Sequence, residues 1–445
     1  MPNPRGINGY GTKDSEFILR SLRRIILGLL LLSEPADDVL KASLIKYRDE
    51  RQTQNQKLQS LAKDHGYVIG TTKLNQEENR LGISSKRRFK PSAEQVRQAV
   101  SDEVEKDLAR GNGPDFIQDQ LKHNYNLHVG RDLVTKIMKD YFPQDFLKRF
   151  PGKKNIRQNR TTLKSIGPFR ELNGDGHEKL APQALQMGGV GFSIYSYKEK
   201  WSDNLPCGMT LAPESRTAVI GGHIFLDFVE SCGCIPVQLT TDKGPEIGYQ
   251  HAFMFSLRDT YAPDIDTVQF PPHIILKSTS NTPIEGVWRQ WLQKKGISLK
   301  EYIIRGKTQY IFDVNNPMHA SLFYWIFVPL IQAQLDEFVR YWNLHRVRSQ
   351  PNKHMPSGHV PAYALQHPEE FGGVDCRIAV PKEAVDQLRK FLEEDSNKTR
   401  AECFQWFTDD FGALAKEVYE SIGKPVLTLD SAWQVFIQMS PMLAN

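Results

Sequence analysis

Three acidic residues stand where a carboxylate could do chemistry as well as face water. Asp242 ends the β-forming run Ile235-Pro-Val-Gln-Leu-Thr-Thr and precedes Lys243-Gly244-Pro245, which places it at the carboxyl end of a strand entering a tight turn. Ligand sites in open α/β sheets gather at such ends, although an aspartate opening a turn is also ordinary turn chemistry. Glu285 follows Thr282 and Pro283, a good N-cap and a proline suited to the first helical position. Thr282-x-x-Glu285 is therefore also a capping box, and a carboxylate folded back onto a cap is a poor metal ligand. Asp175 is flanked by Gly174 and Gly176, a setting for a turn or bulged strand as much as for a ligand. His177 and Glu178 follow so closely that either could be the functional group instead. Carboxylates from separate elements are what a pair of magnesium ions takes as ligands. Such a pair can activate an attacking oxygen, stabilise a leaving one and neutralise the charge between them, as cleaving or joining a phosphodiester requires.

The elements that must position these acids follow from the pattern of apolar residues. A strand near Arg170–Leu172 comes first, then a strand over Phe192–Tyr197 with Cys207–Leu211 as its hairpin partner. A helix over Ser215–Ser231, a β-rich run Cys234–Thr240 and a helix over Glu246–Thr260 come next. A strand His273–Thr279 and a helix Thr282–Lys295 complete the order βββαβαβα. That order predicts an α/β class with a mixed sheet, and it is the order an RNase H-like core uses. From Leu322 the chain reads as helical again, broken by the proline-rich loop Ser349–Pro361. The last 65 residues read as a helical appendage anchored by Phe404, Trp406, Phe407 and Trp433.

Ahead of this core the chain is helical, and two stretches have helix-turn-helix proportions. In the first, Gln54–Asp64 and Gly70–Leu81 flank the turn His65-Gly66-Tyr67. In the second, a helix opening at Gly113-Pro114 and running through Lys122 leads over Asn124-Tyr125-Asn126 to a helix Arg131–Tyr141. Leu133, Val134, Ile137 and Met138 give that last helix an apolar face, while Arg131, Thr135 and Lys139 share another at the spacing a recognition helix uses in a major groove. An ordinary helical hairpin with solvated charges fits the same pattern. Between Lys148 and Arg160 lie six cations, Lys153, Lys154 and Arg157 among them, and no carboxylate. Such a linker could neutralise phosphates or serve as a solvated tether. The resulting division is 1–85 and 86–147 for the two helical regions, 148–164 for the linker, 165–350 for the α/β core and 351–445 for the proline-rich loop and helical end.

Composition excludes some classes. With 40% hydrophobic and 24% charged residues the chain reads as globular, and its net charge of +5 is compatible with nucleic acid without demanding it. The most apolar run, Ile25–Leu32, is far short of the ~20 residues a bilayer helix needs, so no membrane partner is expected. Five scattered cysteines, with no CxxC pair beside a suitable HxxxH, predict reduced intracellular thiols rather than a zinc site.

Four blocks in a fixed order carry a resemblance: Gly174-Asp-Gly-His-Glu-Lys-Leu180, Leu239-Thr-Thr-Asp-Lys-Gly244, Asn281-Thr-Pro-Ile-Glu-Gly-Val-Trp288, and Tyr341-Trp-Asn-Leu-His-Arg346 continuing through Pro356-Ser-Gly-His-Val-Pro361. Over about residues 165–380 the chain resembles the integrase core family of retroviral-type transposases and the transposon-derived integrase-core proteins abundant in fungal genomes. The resemblance implies an RNase H-like fold, a DDE carboxylate triad at Asp175, Asp242 and Glu285, a two-metal Mg²⁺ or Mn²⁺ site, and strand transfer on DNA. It also implies a homo-oligomer, dimer or tetramer, on DNA ends and a nuclear location. Lys153, Lys154, Arg157 and Arg289 join Arg131, Thr135 and Lys139 as candidate DNA contacts. The interval from Asp242 to Glu285, 43 positions, is longer than in retroviral integrases, and their His/Cys zinc region is missing. The competing readings are a catalytically retired DNA-binding or scaffolding protein and an RNase H-like nuclease acting on RNA or hybrids.

Overall fold

A computed structural model describes residues 34–83, 91–145, 164–214, 217–277, 280–350, 353 and 355–444. The run Ile25–Leu32 and the basic stretch 148–160, with Lys153, Lys154 and Arg157, lie outside the described residues. Five strands build the central sheet: β1 (Glu171–Leu180), β2 (Phe192–Glu199), β3 (Met209–Ala212), β4 (Gln238–Asp242) and β5 (His273–Leu276). Their order is β3-β2-β1-β4-β5. The first three strands are antiparallel neighbours, whereas β4 runs parallel to β1 and β5 parallel to β4. This is an RNase H-like mixed sheet, the α/β class that the element order predicts.

Local chemistry explains where the elements depart from expectation. The run Cys234–Thr240 is not one strand. Pro236 has no N–H to donate to a ladder, and the chain splits there into Cys234–Ile235, paired with Ile378–Ala379, and the core strand β4. Conversely, the first strand is longer than expected. It runs through Asp175 without a turn, and its irregularity falls later, between His177 and Leu180.

The sheet is covered on both faces. Helices α7 (Ala218–Cys232) and α8 (Ile247–Tyr261) pack on the face that carries Leu172, Tyr195, Tyr197 and Leu239. Helix α7 is apolar nearly all round, as a helix sandwiched between layers must be. The other face carries Phe192, Ile194 and Leu211 and meets α9 (Thr282–Trp291), a wide turn Leu292–Gly296, α10 (Ile297–Thr308) and the long α11 (Pro317–Leu344). Farther along, α12 (Lys382–Ser396) lies on α7, while α13 (Asp409–Ser421) and α14 (Ala432–Leu443) lie on α11. Trp433 is drawn fully into this second core. Its indole N–H donates to the Tyr302 carbonyl at 2.8 Å and its ring meets Phe327 at 4.9 Å.

Residues 89–445 form one compact unit, which includes α4 (Ala93–Lys106), α5 (Pro114–Tyr125) and α6 (Arg131–Tyr141). Ser92 and Gln95 form a capping box at the start of α4, and Asn126 ends α5 in the left-handed conformation. Val134, Ile137 and Met138 bury the inner face of α6, but Leu133 is 44% exposed and not part of that face. Arg131 pairs with Asp115 at 2.6 Å, the Thr135 hydroxyl donates to the Arg131 carbonyl at 2.9 Å, and Lys139 is exposed. Ser298 donates to Asp107 at 2.9 Å and Arg340 meets Asp119 at 3.2 Å, so α4 and α5 are tied to α10 and α11.

A second compact unit, within 1–88, holds α1 (Asp37–Asp49), α2 (Gln54–His65) and α3 (Thr71–Arg80) around Leu40, Leu44, Leu61 and Leu74. Thr53 and Gln56 cap α2, Gly66 ends it at φ +64°, and Arg80 closes the bundle with a bidentate pair to Asp37 at 2.6 and 2.7 Å.

Candidate active site

The parallel ladder between β1 and β4 pairs Asn173 with Thr240. Side chains two residues apart on a strand share a face, so the same register carried forward sets Asp175 beside Asp242 on neighbouring strands, about 4.8 Å apart in the backbone. Leu172 and Leu239 point the other way, into the core under α7 and α8. Both aspartates therefore face the side that α9 covers. Gly174 explains itself on the reverse face: a Cβ there would meet the Tyr197 ring at 2.9 Å and the Tyr195 hydroxyl at 3.1 Å. The glycine beside Asp175 thus serves packing of a continuous strand, not a turn.

Glu285 arrives on the first turn of α9. The capping box expected for it is not formed: Asn281, not Thr282, is the N-cap, and no side chain makes a cap bond. Asn281 is drawn elsewhere. Its amide donates to the Gly174 carbonyl at 3.1 Å and accepts from Asn173 at 3.0 Å, which fastens the start of α9 to β1 one residue from Asp175. Lys198, buried on β2, donates to the Pro283 carbonyl at 3.0 Å and pairs with Asp203 at 2.9 Å, holding the same turn from the other side. The Glu285 carboxylate is left exposed.

One turn along α9, the Trp288 indole N–H donates to Asp175 Oδ2 at 2.9 Å. His177 stacks on that indole at 4.8 Å, with Trp291 edge-on at 5.2 Å. Its Nε2 is buried with no hydrogen-bond partner, and burial, then the charge of Lys179, lowers the ring to about 4, so it is neutral at ordinary pH. A cleft of about 780 Å³ opens here, lined by Asp175, His177, Glu178, Glu285, Trp288 and Arg289 among others. Asp242, half-buried at the end of β4, is not among its lining residues.

The charges of the other two acids reach Asp175. Burial, then the negative charge of Asp242, pushes the Asp175 carboxyl up to about 7; Glu285 adds to the rise and the Trp288 hydrogen bond opposes it. Buried acid beside two further acids is an arrangement a bound cation relieves, and hard carboxylate oxygens are the donors magnesium and manganese take. The donor set thus fits such ions by its chemistry. Among the described residues no three His, Cys, Asp or Glu side chains already converge at ligating spacing.

Trp288, Asn281 and Lys198 were not singled out from the sequence. Trp288 could have been, since it follows Glu285 by three positions and so shares its helix face. Nothing local marks Lys198 or the tie from Asn281 to β1, because their partners lie 85 and 107 positions away. Among the described residues no helix is long and apolar enough to cross a membrane.

A family model described as integrase core domain matches residues 215–363. That stretch contains Asp242 and Glu285 and begins after β3, so Asp175 lies outside it. No curated protein matches the chain.

Proposed function

We propose, from the match of residues 215–363 to an integrase core domain model, that this chain is a metal-dependent polynucleotidyl transferase that cuts and joins DNA. The observation that supports this reading is the state of Asp175 at the end of the sheet, raised first by burial and then by the charges of Asp242 and, less, Glu285. Asp175, Asp242 and Glu285 would hold two Mg²⁺ or Mn²⁺ ions. When bound, such ions supply an activated oxygen nucleophile and neutralise charge on the phosphate.

The chain's own residues do the rest. Trp288 orients the Asp175 carboxylate through its indole N–H, and the stack of His177 on Trp288 keeps water from that side of the acid. Glu285 is exposed on a turn fastened by Asn281 and Lys198, so its carboxylate can swing while its backbone stays fixed. Arg289, exposed at the lip of the cleft, would receive a DNA phosphate. Arg131, Thr135 and Lys139 on α6 would contact DNA as well. Work on DNA ends as a homo-oligomer in the nucleus belongs to the same reading.

The test is Asp242→Asn in a nicking and strand-transfer assay on double-stranded oligonucleotides with Mn²⁺. We expect a loss greater than ~100-fold, the scale on which removing one electrostatic partner of a transition state acts. Full activity of the variant would sink the assignment.

A second reading, a retired transposase that binds DNA without chemistry, is favoured by the carboxylates not being drawn to ligating spacing. It predicts DNA binding with a steep salt dependence and no response to divalent metal.

A further inference from the structure

Outside the cleft, two thiols meet on the opposite face of the sheet. Cys207 sits in the turn between β2 and β3, directly before Gly208 at φ +72°, and Cys232 is the last residue of α7, directly before Gly233 at φ +63°. The two glycines, in conformations that favour glycine, turn the chain so that the thiols face each other. Their Sγ atoms lie 3.2 Å apart, and Cys207 also reaches the Phe228 carbonyl at 3.7 Å. Neither residue is fully buried, and all five cysteines are free thiols. A disulfide needs ~2.05 Å between the sulfurs, so closure asks for a movement of about an ångström.

The pair is also polarised. The hydrogen bond with Cys232 lowers the Cys207 thiol, with Ser231 assisting against the cost of burial, and the same contact raises Cys232. Cys207 is therefore the member that reaches the thiolate first, and thiolates are what oxidants attack. The third cysteine of the group, Cys234, is buried in the core beneath α7 and held up by that burial.

We propose that Cys207 and Cys232 form a reversible, peroxide-oxidisable dithiol, a modification site separate from the carboxylate cleft. The Cys207 thiolate attacks one oxygen of hydrogen peroxide and the O–O bond breaks. This leaves a sulfenic acid on Cys207 and hydroxide, which takes a proton and departs as water. The Cys232 sulfur, no longer held up by a neighbouring thiolate, gives up its proton and attacks the Cys207 sulfur. The S–O bond breaks, the S–S bond forms and a second water leaves. Two thiols are oxidised by two electrons and one peroxide is reduced to two waters; a dithiol reductant reverses the step. The bond would close a loop of 25 positions, from 207 to 232, that contains β3 and α7.

The experiment titrates thiols in the full-length reduced chain, denatured after exposure to excess hydrogen peroxide and quenching. Five thiols should fall to three, with a non-reducing peptide map joining the 207 and 232 peptides, and dithiothreitol should restore five. With Cys232→Ser, dimedone should label Cys207; with Cys207→Ser, no dimedone adduct should form at Cys232. Persistence of five thiols, a bond between Cys232 and Cys234, or a bond between two chains would overturn the proposal. None of these outcomes depends on whether the carboxylates bind metal.

Discussion

Two carboxyl groups on neighbouring strands are pushed to the same value by different surroundings. Glu199, at the end of β2, and Asp175, in β1, are both raised to about 7, and burial is the first cause for each. Glu199 is fully enclosed and accepts from the backbone N–H groups of Phe169, Trp201 and Ser202 and from the Ser202 hydroxyl, at 2.6–3.2 Å. Those donors shape the turn after β2, and after burial it is they, not a neighbouring charge, that act most on the acid. Asp175 accepts one side-chain hydrogen bond, from Trp288, and borders two further acids and an open cleft. A perturbed pKa alone marks neither as functional. What separates them is whether the surroundings already satisfy the charge or leave it to an incoming partner.

This contrast can be broken by substitution. The largest difference should appear in catalysis: Asp242→Asn should lose more than ~100-fold in Mn²⁺-dependent nicking, whereas Glu199→Gln should stay within a few-fold of the parent. In stability the order reverses. Glu199→Ala leaves several buried donors unpaired, each costing ~1–3 kcal/mol, and a denaturant midpoint should fall accordingly. Asp175→Asn should cost far less, and a comparable loss from it would erase the distinction.

Divalent metal gives a third separation. Mn²⁺ at 100 times its dissociation constant should stabilise the parent by ~2.7 kcal/mol in thermal melts. Glu199→Gln should keep that shift and Asp175→Asn should lose it. The smallest effect is the pH dependence in chelator. Both folded-state values lie above the ordinary ones, so the stabilising contribution of each neutral acid is complete below about 4. It is then lost as pH rises to about 7, by up to ~1.4 kcal/mol per pH unit and group. Asp175→Asn should flatten about half of this fall, and in Mn²⁺ the Asp175 share should vanish. A melting temperature that rises through this window would contradict the signs.

Sequence reasoning reaches local features well. The turn at Gly66, Pro114 opening α5 and the turn at Asn126 mark helix ends by chemistry that needs no distant partner, and those helices lie where expected. Asp242 at a strand end belongs to the same kind. It fails where a distant group overrides a local preference. Gly174 and Gly176 read as a turn or a bulged strand; the strand is irregular only after His177, and Tyr195 and Tyr197 require a missing side chain at Gly174 within the paired part. Thr282 reads as the cap of α9, but Asn281 takes that place because Gly174 and Asn173 hold its side chain. Leu133 reads as core until the packing of α6 shows which three residues the bundle can bury.

The tie between Asn281 and Gly174 bears on the order of events during synthesis. It spans 107 positions, and the Trp288 bond to Asp175 spans 113. Contacts this distant in sequence close late, since the chain between them must be ordered first. A nascent chain that has emerged only through β4 holds both aspartates but not the indole that aims one of them, nor the helix that carries Glu285. Two-thirds of the acid set can therefore exist on a ribosome-bound chain without the cleft being built. The finished arrangement waits for α9 to dock.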